Sequence, residues 1–151
     1  MKKILVIDDR FGARENLRDE LLDAFPGKVD LIACQNVYEA DGAMESEQFD
    51  VIIVDSMMST LGLAPEQEEF TQEGLYTGIV WLCGWFIKCP EKLENKKIYV
   101  VSGYLDDRDE IIDSMHKYTQ TSDFIDNINF VSKAGDAVNK MIQDIGKTFN
   151  L

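Results

Sequence analysis

The chain has few of the residues that bind transition metals or form covalent cross-links. Its 151 residues include a single histidine, His116, and three cysteines, Cys34, Cys83 and Cys89, none of which forms a C-x-x-C pair. The sequence therefore excludes a multi-histidine metal site, and it favours neither a disulfide framework nor a structural zinc site. Cysteine usage of this kind is typical of a reducing compartment.

Positive charge and long apolar runs are also scarce. Fifteen lysines and arginines stand against 28 aspartates and glutamates, a formal net charge of −13, which argues against nucleic acid and anionic membranes as partners. The most apolar stretch, Ile79 to Ile87, is nine residues long and interrupted by Gly84, too short to cross a bilayer. The apolar run Ile4 to Ile7 is too short for a signal peptide. We expect a cytoplasmic protein.

Five short apolar segments alternate with segments of helical periodicity. This alternation predicts one α/β domain over residues 1–151, a doubly wound, five-stranded parallel sheet with helices on both faces. The predicted strands are Ile4–Ile7, Val29–Ala33, Val51–Val54, Ile98–Val101 and Asn129–Val131. The predicted helices are Arg14–Phe25, Val37–Glu47, Gly78–Cys89, Arg108–Tyr118 and Asp136–Phe149.

Two connections are longer than the roughly 2–6 residues that are usual between a strand and a helix. They are Ser59–Thr77, which we interpret as an insertion after the third strand, and Thr119–Ile128. The helix after the insertion is apolar on two faces, so both must be covered. We expect the sheet to cover one face, and the insertion or a dimer partner to cover the face of Trp81 and Trp85. The insertion offers three apolar side chains for this purpose: Leu61, Leu63 and Phe70.

Polar side chains follow four of the predicted strands, at the edge where ligands bind in open α/β sheets. They are Asp8 and Asp9, Asp55, Ser102 and Lys133. Two carboxylates ~4 Å apart repel each other by ~4 kcal/mol at an effective dielectric constant of ~20, so three ionised carboxylates need cations nearby. Lys133 supplies one positive charge. A divalent ion that prefers oxygen ligands, Mg²⁺ or alternatively Mn²⁺, would supply the rest.

These strand ends resemble those of the receiver domain of two-component response regulators, the CheY-like superfamily, over nearly the whole chain. An acidic pair closes the first strand in Ile4–Asp9, and an aspartate closes the third in Val51–Asp55. A serine closes the fourth strand in Val100–Gly103, and Phe130–Lys133 brings an aromatic residue and a lysine to the end of the fifth. The resemblance implies a flavodoxin-like sheet with the strand order 2-1-3-4-5.

The resemblance also implies a role for each acidic residue. Asp55 is the phosphoacceptor, a nucleophile that forms an aspartyl phosphate with a phosphoryl group taken from a phosphohistidine. Asp9 and Asp55 are direct ligands of Mg²⁺, the backbone carbonyl of Met57 is a third protein ligand, and Asp8 acts through a water molecule.

Lys133 and the Ser102 hydroxyl are implied to hold the phosphoryl oxygens. Ser102 and Phe130 form the switch, since the serine moves to bond the phosphoryl group and the aromatic ring turns into the space left. Such a domain is a signalling domain and catalyses only its own aspartyl phosphorylation and dephosphorylation. Its implied partners are a sensor histidine kinase or phosphotransfer protein and an unidentified downstream protein, with the chain as a monomer or weak homodimer.

The sequence departs from the family pattern at several places. Ala134 and Ser59 stand where the family usually has prolines, Gly103 replaces a more frequent alanine, and the insertion puts the usual docking surface in doubt. A pseudo-receiver that binds a partner constitutively therefore stays an alternative. A phosphatase of the haloacid dehalogenase type is a second one, although that family has an aspartate at the position of Met57.

The lifetime of an aspartyl phosphate is a further expectation from the resemblance. Met57 and Tyr104 occupy the two positions that flank the approach of the hydrolytic water in receivers. Both side chains are bulky, and neither carries an acid or amide that would orient the water. We therefore expect slow hydrolysis.

Overall fold

The computed structural model describes residues 1–103, 108–120 and 123–151, and five parallel strands form its central sheet. The strands are β1 Lys2–Ile7, β2 Val29–Cys34, β3 Val51–Asp55, β4 Lys97–Ser102 and β5 Asn129–Ser132. Their order is β2-β1-β3-β4-β5, and every neighbouring pair is parallel. The predicted fold class and strand order are confirmed.

Seven α-helices and one 3₁₀ turn surround the sheet in the described residues. They are α1 Phe11–Ala24, α2 Val37–Ser46, α3 Pro65–Glu68, α4 Thr77–Lys88, the 3₁₀ turn Pro90–Lys92, α5 Arg108–Thr119, α6 Asp123–Asp126 and α7 Ala137–Thr148. The five predicted helices correspond to α1, α2, α4, α5 and α7. The short helices α3 and α6 lie in the two long connections and were not predicted, because four residues are too few to show a periodicity.

The two faces of the sheet carry separate hydrophobic cores, since successive strand residues point to opposite sides. Leu5 and Ile7 face one core together with α2, α4, α5 and α6. Ile4 and Val6 face the other together with α1 and α7. Both cores need apolar strand residues, which explains why the strands are continuous apolar runs without alternation.

The insertion covers the outer face of α4. Trp81 and Trp85 on that face are only 2% and 7% exposed. Leu63 belongs to the same buried core, and the Phe70 ring lies 4.7 Å from the Tyr118 ring of α5, whereas Leu61 is exposed. The prediction that the insertion folds over the tryptophan face is confirmed for Leu63 and is wrong for Leu61, and Phe70 packs against the same core and contacts Tyr118 of α5.

Helix α2 contributes a second, polar part of that cover. The indole N–H groups of Trp81 and Trp85 both donate to Oδ1 of Asp41, at 2.7 and 2.8 Å. A tryptophan that is buried this deeply needs an acceptor for its only polar group. The cover of α4 is therefore completed within one chain, without a dimer partner.

No helix among the described residues combines the length and the apolar character that crossing a bilayer requires.

Candidate functional site

Three carboxylates meet at the carboxyl end of the sheet. Asp8 and Asp9 follow β1, and Asp55 is the last residue of β3, the strand next to it. Their carboxylate oxygens lie within 4.8 Å of one another, with Asp8 and Asp55 buried and Asp9 exposed. The structure thus brings together the three acidic residues that the sequence predicts at this edge. Oxygen ligands in such a group fit a hard divalent cation such as Mg²⁺.

Lys133 supplies the positive charge of the cluster. Its Nζ donates to Oδ2 of Asp55 at 2.7 Å. The backbone fixes this position, because the Lys133 N–H donates to the carbonyl of Ser102 at 3.1 Å, which extends the pairing of β5 with β4. The lysine therefore reaches the aspartate from two strands away, across the end of β4.

The electrostatics of Asp55 leave its negative charge only partly compensated. Burial, reinforced by the nearby charge of Asp8, raises the pKa of Asp55 to about 6, although the hydrogen bonds from Lys133 and from the Met57 N–H act in the opposite direction. Asp55 is therefore ionised at neutral pH in a site that disfavours its charge. A further cation at this position would relieve that cost, which is a second property that fits a divalent ion.

Local hydrogen bonds hold the acidic loop after β1. Oδ1 of Asp8 accepts the Arg10 N–H at 3.0 Å, and Nη1 of Arg14 donates to the Asp8 carbonyl at 2.9 Å. The first bond is a short-range turn contact that favours aspartate in this place. Sequence reasoning missed Arg14, which lies one helical turn into α1. An arginine close behind an acidic pair is the only signal that could have pointed to it.

The two predicted switch residues occupy neighbouring strands. Ser102 is buried at the end of β4, and Phe130 in β5 is half-buried against the core that Leu5 and Ile7 face. The Met57 side chain is 46% exposed beside the site, and its N–H donates to Oδ1 of Asp55 at 3.3 Å. Tyr104 lies outside the described residues. The roles of Ser102, Phe130 and Met57 in phosphorylation stay predictions.

Solved structures of receiver domains share this fold along almost the entire chain. The Francisella response regulator 1452 receiver domain is 17% identical, with a TM-score of 0.63 and coverage of 99% of this chain and 98% of that one. Chemotaxis response regulator CheY4 of Vibrio cholerae is 16% identical, with a TM-score of 0.61 and coverage of 96% and 98%. The isolated REC domain of RcsB from Salmonella enterica, solved in the presence of phosphomimetic BeF₃⁻, is 14% identical, with a TM-score of 0.65 and coverage of 97% and 88%.

No protein-family model matches the sequence, and neither does any curated protein. At 14–17% identity the structural likeness establishes the receiver fold.

Proposed function

We propose that the chain is a phosphoacceptor receiver domain in two-component signal transduction. In this proposal Asp55 takes a phosphoryl group from a sensor histidine kinase or a phosphotransfer protein, and the resulting change of conformation signals to a downstream protein. The observation that carries the proposal is the contact of 2.7 Å between Lys133 Nζ and Asp55 within a group of three carboxylates, at the ligand-binding edge of a receiver-type sheet.

The chemistry requires little beyond positioning and charge. A carboxylate oxygen of Asp55 attacks the phosphorus, a P–O bond forms, and the P–N bond to the donor imidazole breaks with its electron pair leaving on nitrogen. Lys133 would stabilise the negative charge on the transferred group, and the buried hydroxyl of Ser102 would bond one of its oxygens. Asp9, Asp55 and the Met57 carbonyl would hold Mg²⁺, with Asp8 acting through water; when bound, the ion neutralises phosphoryl oxygens.

Intact-mass spectrometry tests the proposal with small-molecule donors. We expect acetyl phosphate, and phosphoramidate as a donor with a P–N bond, to add one phosphoryl group to the wild type only when Mg²⁺ is present. Asp55→Asn should stay unmodified. Asp50→Asn is the matched control, because Asp50 precedes the same strand at its other end, where it bonds the Lys3 N–H, and this variant should still be modified.

Two outcomes would contradict the proposal. An unmodified wild type would favour the pseudo-receiver, which binds its partner without phosphorylation. A modified Asp55→Asn protein would place the phosphoryl group on another residue.

A further inference from the structure

The loop after the phosphoacceptor is held from both sides of Met57. On one side, the Ser56 N–H donates to the Val101 carbonyl and the Ser56 carbonyl accepts the Gly78 N–H, both at 3.0 Å. The Ser56 hydroxyl also donates to the Leu75 carbonyl at 2.8 Å. The first bond joins Ser56 to β4, and the other two join it to the end of the insertion and the start of α4.

The other side of Met57 is held by the same segment, residues 74–78, which we call the clamp. The Met58 N–H donates to the Gly74 carbonyl at 3.1 Å, and the Thr77 hydroxyl donates to the Met58 carbonyl at 2.8 Å. Because a trans peptide is planar, its N–H and the preceding C=O point in opposite directions. The bond from Met58 to Gly74 therefore directs the Met57 carbonyl away from the clamp.

Two glycines let the clamp approach this closely. Gly74 has a φ of +94°, and a Cβ there would lie 2.7 Å from the Met58 carbonyl oxygen. A Cβ on Gly78 would lie 2.1 Å from the carbonyl oxygen of Asp55. Both contacts are with backbone atoms, which cannot move aside as the end of a side chain can. The sequence around Thr77 is thus built for direct contact with the phosphoacceptor loop.

We infer that Thr77 is a positioning residue for the candidate metal site, an inference that rests on the proposed function. Thr77 is fully buried, and its hydroxyl lies between the carbonyls of Met58 and Gly74, at 2.8 and 3.2 Å. Its bond to the Met58 carbonyl fixes the peptide that follows Met58, while the bond from the Met58 N–H to Gly74 fixes the preceding peptide, which carries the Met57 carbonyl. Thr77 thus acts on the Met57 carbonyl through the backbone of Met58. That carbonyl is the ligand that the receiver resemblance assigns to Mg²⁺.

Isothermal titration calorimetry of the full chain with MgCl₂ tests the role of Thr77. Groups that orient metal ligands typically contribute 10- to 100-fold to metal affinity, so we expect Thr77→Val, which keeps the shape but lacks the hydroxyl, to weaken Mg²⁺ binding about tenfold. Thr77→Ser should restore most of the affinity. Ser56→Ala, on the other side of Met57, should weaken binding in the same direction, and it decides the question if Thr77→Val does not fold.

Ile145→Val separates positioning from general destabilisation. Ile145 is fully buried in the core on the opposite face of the sheet, so this variant lowers the melting temperature without touching the loop. It should bind Mg²⁺ as the wild type does. Wild-type affinity in folded Thr77→Val would overturn the positioning role alone, whatever the result for Ser56→Ala, and if Thr77→Val does not fold, wild-type affinity in Ser56→Ala would overturn it. A wild type that binds no Mg²⁺ would contradict the proposed metal site itself.

Discussion

The two faces of the sheet are covered in different ways. On the face of Ile4 and Val6, α1 and α7 form a single layer over a core of 12 buried hydrophobic residues among those described. On the face of Leu5 and Ile7, the corresponding core has 26 such residues, because α2, α4, α5 and α6 all contribute to it and α4 is buried on its outer side as well. The insertion thus forms an additional layer on one face only, and Asp41 of α2, a helix that itself packs on the sheet, completes it.

This difference follows from how much of the surface of each helix is apolar. Helix α7 has one apolar stripe, so a single contact with the sheet buries it and leaves a polar face for water. Helix α4 has apolar side chains all round, including two tryptophans whose N–H groups need an acceptor. Its cover must therefore supply both apolar surface, from Leu63, and a polar partner, Asp41.

The largest effect should come from removing a tryptophan from the covered face. Trp81→Ala should lower the free energy of unfolding by about 3–5 kcal/mol, the usual cost of truncating a buried aromatic residue. Ile87→Ala in the same helix is the control, because Ile87 is 53% exposed and should cost under about 1 kcal/mol. Urea denaturation measures both. Similar small losses in the two variants would mean that the outer face of α4 is not a core.

The second effect isolates the polar part of that cover. Asp41→Ala removes the acceptor of two indole N–H groups and should cost about 2–3 kcal/mol, because buried donors are left unpaired. Asp41→Asn keeps an acceptor oxygen and should cost less than half as much. Equal losses in the two variants, measured by urea denaturation, would show that the carboxylate charge and not the hydrogen bonds stabilises the contact.

A third experiment measures how the charge of Asp55 in the candidate site affects the free energy of unfolding, as distinct from the packing of the two cores. Since the pKa of Asp55 is raised to about 6, the folded chain holds this proton more tightly than the unfolded chain. The contribution of Asp55 to the free energy of unfolding should therefore fall as pH rises from about 4 to 6. Without Mg²⁺, Asp55→Asn should be more stable than the wild type at pH 7, by on the order of 2 kcal/mol.

Chemical denaturation at several pH values, with EDTA and then with Mg²⁺, checks this expectation. Added Mg²⁺ should stabilise the wild type and reduce its difference from Asp55→Asn. A variant that is less stable than the wild type at pH 7 in EDTA would show that the contact with Lys133 outweighs the burial of the Asp55 charge.

The smallest expected effect is the difference in stability between two glycine-to-alanine variants, one on each face of the sheet. Alanine in place of a glycine inside a helix gains up to about 1 kcal/mol. At Gly84 in α4 the new Cβ would lie 2.4 Å from Nε2 of Gln67, which would then lose its hydrogen bond to the Tyr118 hydroxyl. At Gly146 in α7 the new Cβ would lie 3.1 Å from a ring carbon of Phe25. We expect Gly146→Ala to be the more stable variant by about 0.5–1 kcal/mol. The reverse order of stability would mean that Gln67 of the insertion does not pack closely against α4.

The parts of the site that sequence reasoning predicted are those at strand ends. Asp8, Asp9, Asp55 and Lys133 could be placed together because parallel strands end at one edge of the sheet, and each of these residues directly follows or closely follows an apolar run. Arg14 and Asp41 could not be assigned in this way. Their partners, the Asp8 carbonyl and the two indole N–H groups, become neighbours only through the packing of a helix on a loop or on another helix.

The sequence by itself determined the parallel sheet, through the alternation of apolar strands and helices, and the gathering of charged groups at its carboxyl end, whereas the strand order followed from the resemblance to receiver domains. Only the tertiary structure decided how the insertion is used. Its clamp around Met58, through Gly74 and Thr77, and its cover over Trp81 depend on hydrogen bonds and side-chain packing between segments about 20 residues apart along the chain. Irregular segments have no repeating pattern from which such contacts could be read, so they are settled by the shape of the surfaces that meet.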